Sequence, residues 1–171
     1  MAEQTELLSQ WSRHFEGLSQ GVDQFYAGVE AAVKRRSIPD VRFDRVNLKE
    51  GGMLSASREY LRIKRGDLRY DICGAPFGNG FFVSSRLFAE GKFADSLLGD
   101  MGRGGMLSQI AGAVAAKAVG ADTYYKLDTA QMFLQLAHNG LLEAVDAMTS
   151  AASLPKLPDA DRRPILKGFF Q

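Results

Sequence analysis

Side chains suited to covalent or acid–base chemistry are sparse in this sequence: one cysteine, Cys73, and two histidines, His14 and His138. A cysteine attacks only as its thiolate, which needs a base, a cation or a helix N-terminus beside it. Cys73 lies in Asp71-Ile72-Cys73-Gly74-Ala75-Pro76-Phe77-Gly78. Strand alternation there puts Cys73 on one face with Arg69 and Asp71, opposite Leu68, Tyr70 and Ile72. An arginine on that face would acidify the thiol. Three readings stand: an inert packed cysteine, a nucleophile or thioester carrier, and a redox sensor. Neither histidine is near Cys73 in the chain, and no Gly-x-Ser-x-Gly elbow supplies a serine alternative. The glycines of Gly74–Gly80 have neither the Lys-Ser/Thr of a phosphate loop nor the spacing of a dinucleotide fingerprint, and a turn explains them. With no HxxxH or CxxC pair there is no preformed metal-ligand set, so neither a metal nor a cofactor is expected.

Charge is uneven along the chain. Between Lys34 and Tyr70 eleven basic residues face five acidic ones, a local excess of six in a chain whose net charge is +1. Arg58, Arg62, Lys64 and Arg69, with Tyr60 among them, form a candidate binding face for an acidic protein, a phosphate-rich ligand or nucleic acid. The competing reading is a solvated sheet face whose charges guard against edge-to-edge association. No nucleic-acid-reading motif accompanies the charges.

These residues need elements to position them. Leu8, Trp11, Phe15, Leu18, Val22, Phe25, Val29 and Ala32 advance by threes and fours, which predicts one amphipathic helix from Thr5 to Arg36, stopped before Pro39. Gly17, Gly21 and Gly28 fall inside it, and close approach of another backbone would explain the first two. The stripe packs on the protein's own sheet or, as a coiled-coil-like seam, forms an interface through Trp11, Phe15, Leu18, Val22, Phe25 and Val29. Four strands follow, Val41–Lys49, Met53–Lys64, Leu68–Phe77 and Phe81–Phe88, alternating with period two. Gly51-Gly52, Gly66-Asp67 and Asn79-Gly80 join them as tight turns, so neighbours run antiparallel.

A glycine-rich loop, Gly99–Gly105, then precedes a helix over Met106–Val119 and a second over Tyr124–Thr149. The second carries Leu127, Leu134, Leu141 and Met148 at seven-residue intervals. The segment from Ser153 onward, with Pro155 and Pro158, reads as an extended tail ending in Phe169 and Phe170. The expected architecture is a single α+β domain over 1–171: a long N-terminal helix, a four-stranded antiparallel meander, and two or three C-terminal helices on one face of the sheet.

A lone cysteine excludes an intrachain disulfide framework and suits a reducing, cytoplasmic setting. No stretch reaches the roughly 20 apolar residues of a membrane span. Gly105–Gly120 comes nearest and reads as a buried helix or an interfacial segment.

Arg58-Glu59-Tyr60-Leu61-Arg62-Ile63, Asp71-Ile72-Cys73-Gly74-Ala75-Pro76-Phe77-Gly78-Asn79-Gly80-Phe81-Phe82 and Tyr124-Tyr125-Lys126-Leu127-Asp128-Thr129-Ala130-Gln131-Met132-Phe133 resemble a family of uncharacterised bacterial hypothetical proteins. The resemblance implies a bacterial or phage origin and brings no activity. Three functions follow from the residues. The first is a non-catalytic interaction or assembly module, self-associating or binding a protein partner through the first helix and the basic face. The second is a cysteine enzyme whose order of elements is similar in outline to ubiquitin-conjugating enzymes, although no His-Pro-Asn motif precedes Cys73. The third is peripheral membrane attachment through Gly105–Gly120.

Overall fold

The computed structural model describes residues 5–49, 57–91, 93–94 and 121–167. In chain order these form β1 (Thr5–Glu16), α1 (Val22–Lys34), β2 (Arg42–Lys49), β3 (Ser57–Arg65), β4 (Leu68–Phe77), β5 (Gly80–Glu90) and α2 (Ala121–Ala151). A 3-10 turn (Asp159–Arg162) and a two-residue strand, β6 (Ile165–Leu166), follow. The strands make one sheet in the order β2-β3-β4-β5-β1-β6, and every neighbouring pair is antiparallel.

The long N-terminal helix is therefore not formed, and the expected meander-plus-helices architecture gives way to a six-stranded sheet carrying two described helices. The first half of the predicted helix is β1, paired with β5 along its length. The apolar spacing misled for an identifiable reason. Trp11 and Phe15 are four apart, an interval that keeps two residues on one face of a strand as well as of a helix. Leu8, three before Trp11, belongs on the other face of a regular strand, but the register shifts between Leu7 and Ser9. A bulge of this kind re-aims a side chain, and Leu8 is buried like Trp11. Gly17 then takes φ +71, a left-handed conformation that ends the strand, while its N–H donates to the Asn79 carbonyl at 2.9 Å. Gly21 is the N-cap of α1. Only the second half of the periodic run, with Phe25, Val29 and Ala32 buried, is helical.

Both helices pack on one face of the sheet, here called the inner face. Phe25 of α1 meets Phe81 edge-on at 5.5 Å between ring centroids. From α2, Phe133, Ala137, Leu141 and Val145 join Leu61, Ile63, Tyr70, Ile72 and Leu87 in one buried cluster. The helices cross where Gly140 meets Val33: a Cβ on Gly140 would fall 2.5 Å from Val33 Cγ2, so only glycine admits this approach. The glycine that lets the two helices approach is thus on α2, and neither Gly17 nor Gly21 is crowded.

The expected loop at Gly99–Gly105, the helix over Met106–Val119, the membrane-seeking segment Gly105–Gly120, and Phe169 and Phe170 lie outside the described residues. No helix among those described is long and apolar enough to cross a membrane.

Candidate functional site

The opposite face of the sheet, here the outer face, is built from the alternate residues of the same strands, and the ladder sets them in rows. One row holds Asp44, Arg62, Asp71, Arg86 and Gln10, since Asp44 pairs with Arg62, Arg62 with Asp71, Asp71 with Arg86, and Arg86 with Gln10. Toward one end come Lys64, Arg69 and Phe88. Toward the other come Cys73, Ser84 and Ser12, and then Ala75, Phe82 and His14. All five residues expected at a binding face, Arg58, Tyr60, Arg62, Lys64 and Arg69, are outer-face positions of β3 and β4.

Their partners divide them. Arg62 donates through Nε and Nη2 to the two Asp71 oxygens at 2.8 and 3.0 Å. Arg69 Nε lies 3.2 Å from Asp71 Oδ2 as an ion pair without hydrogen-bond geometry, and its Nη1 donates to Glu90. Lys64 Nζ reaches Glu90 Oε2 at 2.9 Å. Asp71 is 6% exposed and its arginine partners are half-buried, so the network is partly desolvated rather than a loose surface one. Arg58 lies outside it and has no carboxylate partner among the described residues. Asp71 and Glu90 neutralise half of the expected basic face. Asp71 was legible as a face-mate of Arg69. Glu90 was not, because β5 runs two residues past the expected end at Phe88.

A local defect in the sheet lies beside Arg58. The β3–β4 ladder runs from Arg65↔Leu68 to Leu61↔Ile72 and stops. At the next step the Tyr26 hydroxyl enters from the inner face: it accepts from the Gly74 N–H at 2.9 Å and donates to the Glu59 carbonyl at 2.8 Å. One phenol thus satisfies a backbone group on each side of the interrupted ladder. The Arg45 guanidinium covers its ring at 4.4 Å. Burial pushes the Tyr26 hydroxyl far above the usual phenol range, so it remains a hydrogen-bonding group and does not ionise. On the outer side of the same place lies a cavity of about 190 Å³ lined by Arg58, Ala75, Phe77 and Phe82. Phe77 is 67% exposed on a backbone whose carbonyl lies 2.9 Å from His14 Nε2.

Cys73 sits at the edge of this region and is buried. Desolvation raises its pKa, against the opposing pull of Arg58 and Arg86. His14 is two strands away and two residues off in register, roughly 12 Å from Cys73 at the usual strand spacings, too far to take its proton. Arg69, the arginine expected beside the thiol, is instead held by Asp71 and Glu90; the cations that act on Cys73 are Arg58 and Arg86, and desolvation outweighs them.

The inner face holds a different polar arrangement. Tyr70 Oη lies 2.8 Å from Ser85 Oγ and 2.9 Å from His138 Nδ1, while His138 Nε2 lies 2.7 Å from the Arg162 carbonyl. A carbonyl only accepts, so Nε2 carries the imidazole proton. Desolvation lowers the His138 pKa, which keeps the ring neutral, and Nδ1 then accepts the single proton of the Tyr70 hydroxyl. Arg162 is fixed in turn by a two-bond pair with Asp146, at 2.8 and 2.7 Å. Trp11 Nε1 donates to the Asp161 carbonyl at 2.7 Å. Together these contacts fasten the C-terminal segment across β1 and α2. They are mutually satisfied and lie in or at the edge of the core, which makes them structural.

The interface expected on the first helix is distributed over this interior. Trp11, Phe15, Leu18, Phe25 and Val29 are buried in the core cluster, and Val22 is half-buried against it. Among the described residues no three His, Cys, Asp or Glu side chains converge to hold a metal ion.

No family model matches the chain, and no curated protein matches it. Among solved structures it is similar to the di-domain ARO/CYC StfQ from the steffimycin biosynthetic pathway, at 14% identity and a TM-score of 0.34. The match covers 86% of this chain and 52% of that one, so this chain spans about half the length of that protein. At that TM-score the likeness carries no argument about fold or chemistry.

Proposed function

We propose that this protein is a non-catalytic interaction module that docks a protein partner through the outer face of its sheet. The observation that carries the reading is the contrast in cover. The inner face is sealed by α1 and α2, whereas no described helix lies over the outer face, where Phe77 and Leu48 are 67% and 44% exposed. Cations prevail there: Arg42, Arg58, Arg62, Lys64, Arg69 and Arg86 face Asp44, Asp71, Glu90 and Glu16. Exposed aromatic and arginine side chains are what protein interfaces enrich. The cysteine-enzyme alternative gains no support from a buried thiol of raised pKa with no histidine in reach among the described residues.

The test is site-specific cross-linking in the organism that makes the protein. Benzoylphenylalanine is placed at Phe77 on the outer face or at Tyr125, which is 74% exposed on α2. A discrete protein adduct from position 77 and none from position 125 is the expected result. Equal adducts from both positions, or none from position 77, would overturn the reading.

A further inference from the structure

Resting on that reading, we infer that the gap at Arg58 receives an acidic peptide: one carboxylate meets the Arg58 guanidinium, and an adjacent apolar side chain lodges between Phe77 and Phe82. The charge argument comes first. Arg62, Lys64 and Arg69 already hold Asp71 and Glu90. Among the described residues Arg58 has the Cys73 thiol beside it and no carboxylate partner, so a carboxylate from outside completes its pairing. Three apolar neighbours, Ala75, Phe77 and Phe82, line the same cavity. An ion pair beside such walls is screened less than one in open solvent, and a planar guanidinium matches a carboxylate in two bonds.

The gap is also preformed. Tyr26 holds β3 and β4 apart by occupying the hydrogen-bonding groups of Glu59 and Gly74, and its ring is packed in the core. The Phe77 carbonyl is held by His14, which fixes the backbone that presents the exposed ring. A preformed site loses little conformational freedom on binding. An arginine beside an aromatic wall suits one carboxylate and one side chain. A polyphosphate would need several free cations at the same point, and Arg62, Lys64 and Arg69 are already paired.

The experiment is an NMR titration of the isotopically labelled full chain with two capped hexapeptides, Gly-Ser-Glu-Phe-Ser-Gly and its Gln-for-Glu counterpart, and with a hexathymidylate. The acidic peptide is expected to shift the Arg58 side chain and the Phe77 and Phe82 rings. It should bind at least about tenfold more tightly than the amide peptide, the worth of one charge-assisted hydrogen bond. Arg58→Gln should equalise the two peptides without altering the rest of the spectrum. Tyr26→Phe, which removes the hydroxyl that bridges the two strands, should weaken both. Equal binding of the two peptides, shifts centred elsewhere, no shifts at millimolar peptide, or preferential binding of the oligonucleotide would each overturn the inference. Adducts from position 77 without peptide binding would sink this inference and leave the docking face standing. Loss of both would sink the two together.

Discussion

The two faces of the sheet are made by alternate residues of the same strands, yet they spend polar groups in opposite ways. On the inner face every polar atom of the Ser85–Tyr70–His138–Arg162 series has a partner, and the hydrogen bonds tie the C-terminal segment to the body. On the outer face three cations share two carboxylates at one end, while at the other an arginine without a carboxylate partner stands beside exposed phenylalanine. A saturated buried network specifies structure. An arginine and aromatic side chains left open to solvent do nothing for folding that a smaller residue would not. That difference is what supports placing the proposed docking function on the outer face, at the end that carries Arg58 and Phe77.

The contrast is sharpest in stability. Phe133→Ala removes a ring that is 1% exposed at the helix–sheet contact and should cost about 3–5 kcal/mol in denaturant unfolding. Phe77→Ala on the outer face should stay within about 0.5 kcal/mol of the parent. A comparable loss from both would remove the distinction between the faces. Next in size is Asp71→Ala, which leaves Arg62 and Arg69 without their shared carboxylate. A loss of about 2–3 kcal/mol is expected, below that of a fully buried pair because both arginines retain access to water. The same assay on Tyr26→Phe should show a loss of about 1–3 kcal/mol, since Gly74 N–H and Glu59 C=O lose their common partner. A neutral result would mean that the ladder re-forms without penalty.

The pH response separates the faces more gently. His138 has a folded pKa below its unfolded value, so the unfolded chain binds more protons in the acid range. Its contribution is fully present above the unfolded pKa, near 6.5, and is lost as pH falls from there toward the folded value, by up to about 1.4 kcal/mol per pH unit. Asp146 and Glu143, both lowered by arginine partners, act in the same direction further into acid. Melting curves between neutral pH and pH 5 should therefore slope downward in the parent and less steeply in His138→Gln. Identical slopes would mean that the ring is not held neutral. The smallest expected signal is thiol labelling. Native Cys73 should react no faster than the chain opens, and labelling at the speed of a free thiol would return the cysteine to the centre of the chemistry.

How much of this was written legibly in the sequence varies with the interaction that decides each element. The hairpin turns at Gly66-Asp67 and Asn79-Gly80 carry their own conformational signal, and the strands they join alternate with period two, so antiparallel pairing from β3 to β5 could be read directly. β1 could not. Its identity as a strand comes from pairing with β5, more than 60 residues away in the chain, and its apolar spacing fits either period over Trp11 and Phe15. Gly17 was the available clue, read as a packing glycine when it marks a left-handed turn. The site was legible as a set of outer-face cations. Which of them stay uncommitted depends on Glu90 beyond the expected strand end and on a phenol from α1 entering between two strands, and no local pattern reports either.

The most direct test joins the two faces in one variant: Arg58→Glu, with benzoylphenylalanine at Phe77, followed by both unfolding and cross-linking. If the outer face works and the inner face stabilises, the unfolding free energy stays within about 0.5 kcal/mol of the parent and the adduct at position 77 disappears. An adduct that persists unchanged, or a fold that loses more than about 2 kcal/mol, would contradict the division of labour between the faces.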